Sequence, residues 1–142
     1  EKPGNIGALY RTAAASNMDA VIIANPKTDF YNPNSIRSSL GSLFLLPTAM
    51  APSDEVISFL KERKVSILTA AIDPNAMAYD QFHYPPPCAL VMGTESTGLD
   101  QLWLEKTDQN LIIPMADEVD SLNLSVSAGI LMYESQRKNN RF

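Results

Sequence analysis

Residues 89–99 read ALVMGTESTGL. Apolar residues run straight into a Gly-Thr-Glu-Ser-Thr-Gly loop, which predicts a buried strand, a tight loop and a helix starting near Leu99. In α/β proteins, ligands bind where the C-terminal ends of strands open into such loops. The spacing approaches a phosphate loop. Gly93 and Gly98 occupy the two glycine positions of G-x-x-x-x-G-K-[ST], but Leu99 and Asp100 stand where the Lys and the Ser or Thr belong. Glu95 inside the loop would repel phosphate. The loop therefore suits a ligand that is neutral or cationic where it meets the protein, which speaks against a nucleoside triphosphate.

Outward from this stretch, apolar runs alternate with helical periodicity. Strands are expected at residues 19–24, 43–46, 65–72, 88–92 and 111–113. Pro3-Gly4-Asn5 is turn chemistry, with Asn5 as N-cap of a helix whose core stripe is Ile6, Leu9 and Ala13. A short helix is expected at 35–40, stopped by Gly41, and another is capped by Ser53 with Asp54 and Glu55 in its first turn. Thr97 with Asp100 reads as a capping box for a helix through Lys106, and the last helix runs from near Ser121 to about Lys138. Five continuous apolar strands separated by helices predict an α/β fold: a mainly parallel sheet with helices on both faces. The last helix carries two apolar stripes, Leu124/Ala128/Leu131 and Leu122/Val126/Ile130/Tyr133. A helix apolar on two sides must be covered on two sides, by the sheet and by either a dimer mate or the rest of its own domain.

The 142 residues suffice for one domain with a real core, and 45% apolar with 19% charged residues is ordinary globular usage. No apolar run reaches the roughly 18–20 residues of a membrane span, so no membrane association is expected. One Cys (Cys88) forbids an internal disulfide and fits a reducing, cytoplasmic setting. One Cys and one His (His83) leave no metal site of zinc type and no Ser–His pair to expect. The net charge of −5 does not suggest a nucleic-acid binder. The first residue is Glu1 rather than Met, so a preceding segment is expected.

Three polar clusters stand at the ends of regular elements: Asn5 with Arg11, Gly93-Thr94-Glu95 with Gly98, and Ile113-Pro114-Met115 followed by Ser121-Leu122-Asn123-Leu124-Ser125. Singly, each has a local explanation, as caps, a solvated loop or a surface arginine. Together they resemble the SpoU (TrmH-like) family of S-adenosylmethionine-dependent RNA ribose 2′-O-methyltransferases, of the SPOUT class. The resemblance rests on NIGALYRTA at 5–13, LVMGTESTGL at 90–99, IPM at 113–115 with DSLNLS at 120–125, and IRSSLGSLF at 36–44, and it covers nearly the whole chain. Ser96 departs from the family, where many members have Gly, and Ala116-Asp117-Glu118 is acidic for an RNA-facing loop.

The resemblance implies a catalytic domain, residues 1–142, whose first strand and any substrate-binding domain lie ahead of Glu1. It implies a C-terminal trefoil knot, S-adenosylmethionine as methyl donor without a metal, an rRNA or tRNA substrate, and a homodimer through the C-terminal helix. Arg11 becomes the catalytic arginine, Asn5 positions substrate or Arg11, Glu95 orients Arg11 or substrate, and Ser121 and Asn123 line the site. The cofactor is expected near Thr69, Gly93, Ile113, Met115, Leu122 and Leu124. Arg11, Arg37 and the tail cations Arg137, Lys138 and Arg141 become a local basic patch for RNA. The alternatives are an RNA-binding or assembly module that keeps the fold without turnover, and a Rossmann-type nucleotide-binding enzyme, which the lack of G-x-G-x-x-G opposes.

Overall fold

The computed structural model describes residues 3–27 and 29–142. The helices are α1 (Pro3–Ala15), α2 (Pro33–Ser39), α3 (Ser53–Glu62), α4 (Gln101–Lys106) and α5 (Leu124–Lys138). The strands are β1 (Val21–Ala24), β2 (Thr48–Ala51), β3 (Ser66–Ala70), β4 (Met77–Ala78), β5 (Cys88–Met92) and β6 (Gln109–Ile112). Every strand pair is parallel: β1 with β2, and a four-stranded sheet in the order β4-β6-β3-β5.

Adjacent residues of β3 face opposite ways, and both faces are covered. Ile67 packs with Val56, Ile57 and Leu60 of α3 and Trp103 of α4. Leu68 packs with Phe82, Tyr84, Leu111 and Leu131 of α5. Ala128 and Met132 of α5 meet Ala13 of α1 in a third cluster. The far end of α5 is pinned: buried Gln136 donates from Nε2 to the Ser16 and Asn17 carbonyls, each at 2.8 Å, and Asn139 donates to the Tyr84 carbonyl at 3.0 Å. Among the described residues, no helix is long and apolar enough to cross a membrane.

The second strand differs from expectation. Residues 43–46 form not a strand but a 3₁₀ turn, Ser42–Phe44, and the strand follows Pro47. Leu40 and Gly41 both have left-handed backbone, φ 50° and 84°, which turns the chain so that only Leu43 of the apolar run is buried. The Pro47 carbonyl then accepts from Val21 N at 3.0 Å and starts the ladder.

The helix starts also move, α2 beginning at Pro33 with Asn32 as its cap rather than at Ser35. α1 begins at Pro3, whose fixed φ and missing N–H suit the first turn, so Asn5 lies inside the helix rather than capping it. Pro52 precedes α3, and buried Ser53 instead bonds Asn25 and the Trp103 indole. Asp100 alone caps α4, and Asn123 rather than Ser121 caps α5.

Helices α1 and α2 lie against each other at Gly7, where a Cβ would sit 2.7 Å from the Ser35 carbonyl oxygen. Gly7→Ala is therefore expected to cost about 1–3 kcal/mol through overpacking. Gly4→Ala, with nothing within 4 Å of the added carbon, should melt with the wild type or slightly above it. Thermal melts of the two variants check this, and a Gly7→Ala protein as stable as the wild type would mean that the helices are free to part.

Candidate active site

Parallel strands deliver their following loops to one end of the sheet. Here β3, β5 and β6 bring residues 71–76, 93–100 and 113–123 to that end. The loop after β5 folds back on itself: Thr94 and Gly98 exchange backbone hydrogen bonds at 3.0 and 2.9 Å, and the Thr94 and Thr97 hydroxyls bond at 2.7 Å. Gly98 has φ +69°, and a Cβ at Gly93 would sit 2.7 Å from the Gly98 carbonyl oxygen. Both glycines are thus required by the turn, one for its backbone and one for its lack of bulk.

This loop presents Glu95 to the N-terminus of α5. Glu95 Oε1 accepts from Asn123 Nδ2 at 2.9 Å and from the Leu124 backbone N–H at 3.4 Å. A carboxylate is favoured at a helix N-terminus by the unpaired N–H groups and the dipole. Asn123 Nδ2 also donates to Asn5 Oδ1 at 3.2 Å. The Asn123 oxygen accepts from the Ser125 N–H at 3.0 Å and the Ser125 hydroxyl at 2.6 Å. One carboxamide thus joins α1, the β5 loop and α5, which are 118 and 28 residues apart in sequence.

Of the two partners expected for Glu95, Arg11 or substrate, Arg11 is not bonded to it among the described residues. The carboxylate is held at the α5 terminus, and Arg11 lies six residues beyond Asn5 along α1, about 9 Å further up the axis. Arg11 is exposed and makes no hydrogen bond or ion pair among the described residues. Ser121 is exposed in the loop before α5.

Of the residues expected at a cofactor, Ile113, Met115, Leu122 and Leu124 lie half-buried along the segment between β6 and α5, facing the same strand end as Gly93. Thr69 does not offer its side chain. Its hydroxyl is fully buried and bonded to Thr107 Oγ1 at 2.9 Å and Asn110 Oδ1 at 3.2 Å. Sequence reasoning missed Asn110, whose Oδ1 also accepts from Ala71 N at 3.1 Å and fixes the start of the loop after β3. Its only signal was a pair of amides, Gln109 and Asn110, opening the strand ahead of Leu111 and Ile112.

The tail cations are internally engaged. Arg137 binds Glu134 through two bonds of 2.7 and 2.8 Å, which, chiefly by hydrogen bonding, holds the Glu134 carboxyl below its ordinary range. Lys138 donates to the Asp80 carbonyl at 2.8 Å, and Arg141 meets Asp19 at 3.3 Å.

The profile of the SpoU rRNA Methylase family matches residues 1–133. A 23S rRNA (guanosine(2553)-2'-O)-methyltransferase of Bacillus subtilis is 35% identical over 133 residues, covering 94% of this chain and 53% of that protein. The tRNA (guanosine(18)-2'-O)-methyltransferase of Escherichia coli is 34% identical over 137 residues, covering 96% of this chain and 59% of its own length. The crystal structure of the SpoU methyltransferase AviRb from Streptomyces viridochromogenes in complex with AdoMet superposes with a TM-score of 0.90 at 32% identity, covering 100% of this chain and 58% of that one. The chain thus spans somewhat over half the length of the curated relatives it matches.

The Asn123 amide generates a test. Asn123→Asp keeps the cap but sets a second carboxylate against Glu95. The like charge raises the carboxyl pKa values of the folded pair above their unfolded values, so the penalty is present above those values and vanishes when a shared proton forms. At pH 7.5 the variant should be about 1 kcal/mol less stable than wild type, and near pH 4 the gap should close. Paired melts at the two pH values check this. A gap that persists in acid would mean that Glu95 and Asn123 do not meet.

Proposed function

The chain belongs to the SpoU rRNA methylase family, and on that footing we propose that its protein transfers a methyl group from S-adenosylmethionine to a ribose 2′-hydroxyl of rRNA or tRNA. The observation that carries this reading is the convergence of Asn5, Glu95 and Asn123 on one hydrogen-bonded corner beside the β5 loop. A non-catalytic module has no need to hold those three side chains in register.

The residues at the strand ends fit the cofactor. Gly93 lets the β5 loop close on itself at the strand end, and Ile72, Ile113 and Leu122 supply apolar surface beside backbone donors and acceptors. Bound there, S-adenosylmethionine supplies an electrophilic methyl on a sulfonium. The chain's own part is alignment and charge. The ribose hydroxyl must lose its proton as its oxygen attacks. A guanidinium is protonated at all relevant pH values, so Arg11 acts by stabilising the developing alkoxide or the adjacent phosphate, not as an ordinary base. Asn123 holds the Asn5 oxygen, which leaves the Asn5 NH₂ group oriented to donate to the incoming nucleotide. Ser121 lines the approach. Alignment of this kind, rather than a strong counter-charge, is what methyl transfer requires.

We also assign a homodimer to the outer face of α5 and the knot to its C-terminal anchorage. Val126, Tyr133 and Phe142 are exposed there, the Tyr133 and Phe142 rings stack at 5.5 Å, and Tyr79 and Ile130 complete an apolar groove. Asn139 and Lys138 tie the end of α5 to residues 80–84, the loop a knotted chain would pass.

Calorimetry with S-adenosylmethionine and with ATP separates this reading from a nucleotide-binding one: the first should bind and the second should not. In the full-length protein, Arg11→Ala should keep cofactor affinity within a few-fold of wild type and lose roughly 10²–10³ in methyl transfer, and Arg11→Lys should not restore it. Lost cofactor binding would place Arg11 in the cofactor site or the fold instead. Tyr133→Arg in the same protein should convert a dimer to a monomer in sedimentation at micromolar concentration, and an unchanged dimer would move the interface elsewhere.

A further inference from the structure

An acidic chain reads as a poor partner for RNA, yet its charge is unevenly placed. Segments 3–18 and 30–53 contain no Asp or Glu, and their charged residues are Arg11 and Arg37. These segments form α1, α2, the 3₁₀ turn and β2, and α1 and α2 are in direct contact at Gly7. Among the described residues Arg37 bonds a neutral partner, Asn34 Oδ1 at 3.4 Å, whereas the tail arginines are paired with carboxylates. The basic surface expected to include the tail thus narrows to this face, at whose edge Asp29 has its carboxylate bonded to the Tyr31 N–H at 3.0 Å.

The same face carries a ladder of rings. Tyr10, next to Arg11 in the chain and fully buried, stacks on buried Phe30 with centroids 6.1 Å apart and planes within 8°. Phe30 meets Tyr31 at 4.2 Å, and Tyr31 stacks on Phe44 at 6.2 Å and 18°. The ladder emerges into solvent: Tyr31 is 44% exposed, Phe44 64% and the adjoining Leu45 73%. Its buried end fixes the exposed rings in advance.

Resting on the methyltransferase reading, we propose that this face of α1, α2 and the 3₁₀ turn docks the RNA substrate, with the Tyr31–Phe44 pair stacking on an unpaired base and Arg37 meeting the phosphates beside it. Exposed aromatic rings take bases of any identity, and arginines supply the phosphate contacts. A second copy of the chain fits the face poorly. In an isologous contact the face would meet itself and set two arginines from each side against a single carboxylate, Asp29, at its edge. The α5 groove, with its Glu134–Arg137 pair, carries both signs and lacks that conflict.

The test uses the full-length protein, transcribed 23S rRNA, unfractionated tRNA and S-adenosylmethionine. Phe44→Ala should weaken binding of the RNA that wild type methylates by roughly ten-fold, with cofactor affinity and sedimentation unchanged. Leu45→Glu should weaken and Leu45→Lys should tighten the same binding, with the difference shrinking as salt rises. Opposite signs at one exposed position cannot come from a folding defect. If wild type methylates an RNA and all three variants bind it as wild type does, the docking face is elsewhere. If Phe44→Ala or Leu45→Glu dissociates a dimer, the face belongs to a second copy and the proposal is overturned. If wild type methylates neither RNA, the methyltransferase reading itself fails and this proposal falls with it.

Discussion

The carboxamide of Asn123 is the point through which the three polar motifs are held together. Its nitrogen faces Asn5 and Glu95, and its oxygen faces the Ser125 N–H and hydroxyl. All four contacts agree on one orientation of the amide. Turned over, the amide would set its oxygen against a carboxylate and a carbonyl oxygen, and its nitrogen against two donors. A local bond within α5, from Ser125, therefore fixes which way a residue 118 positions from Asn5 points its donors.

These bonds are exposed, and exposed hydrogen bonds contribute only about 0.5–1.5 kcal/mol each. They cannot by themselves hold a helix in place. The helix is held by what it buries: Ala128, Leu131 and Met132 in the core, and Gln136, one turn after Met132, on the Ser16 and Asn17 carbonyls just past α1. The 15 residues of α5 span about 22 Å, so the anchored end and the chemical end are separated by a rigid rod. Stability sits at one end and geometry at the other. The corner can thus stay open to a nucleotide without becoming loose.

The central strands are legible in the sequence. The central strands β3, β5 and β6 are continuous apolar runs between breakers, and a parallel sheet covered on both faces follows from them. The run at 43–46 misled because an apolar run has no period to separate a strand from a turn with one buried residue, and the deciding features are the left-handed Leu40 and Gly41. Asn5 misled for the same reason: its cap chemistry is local, but Pro3 starts the helix and Asn5 finds its partner on α5. Glu95 is expected from the sequence to orient Arg11 or substrate, and within the chain its carboxylate meets Asn123 and the α5 N-terminus, a partner that no local pattern announces.

Net charge was the least informative of the sequence quantities, and the reason is screening. At physiological ionic strength a charge is felt over roughly 8 Å, far less than the width of the domain. Around α1 and α2 the near charges are Arg11, Arg37 and Asp29, not the carboxylates beyond the sheet, and the tail arginines are paired with Glu134 and Asp19. The acidic segment at 116–120 lies in the loop that leads into α5, among residues close to the expected cofactor. There a negative potential does not oppose the ligand, because the donor's reacting centre is a cation. The balance of −5 thus does not tell how the charges are placed, and helix α1, which carries both Asn5 and Arg11, holds one of the chain's cations with no Asp or Glu in its own sequence.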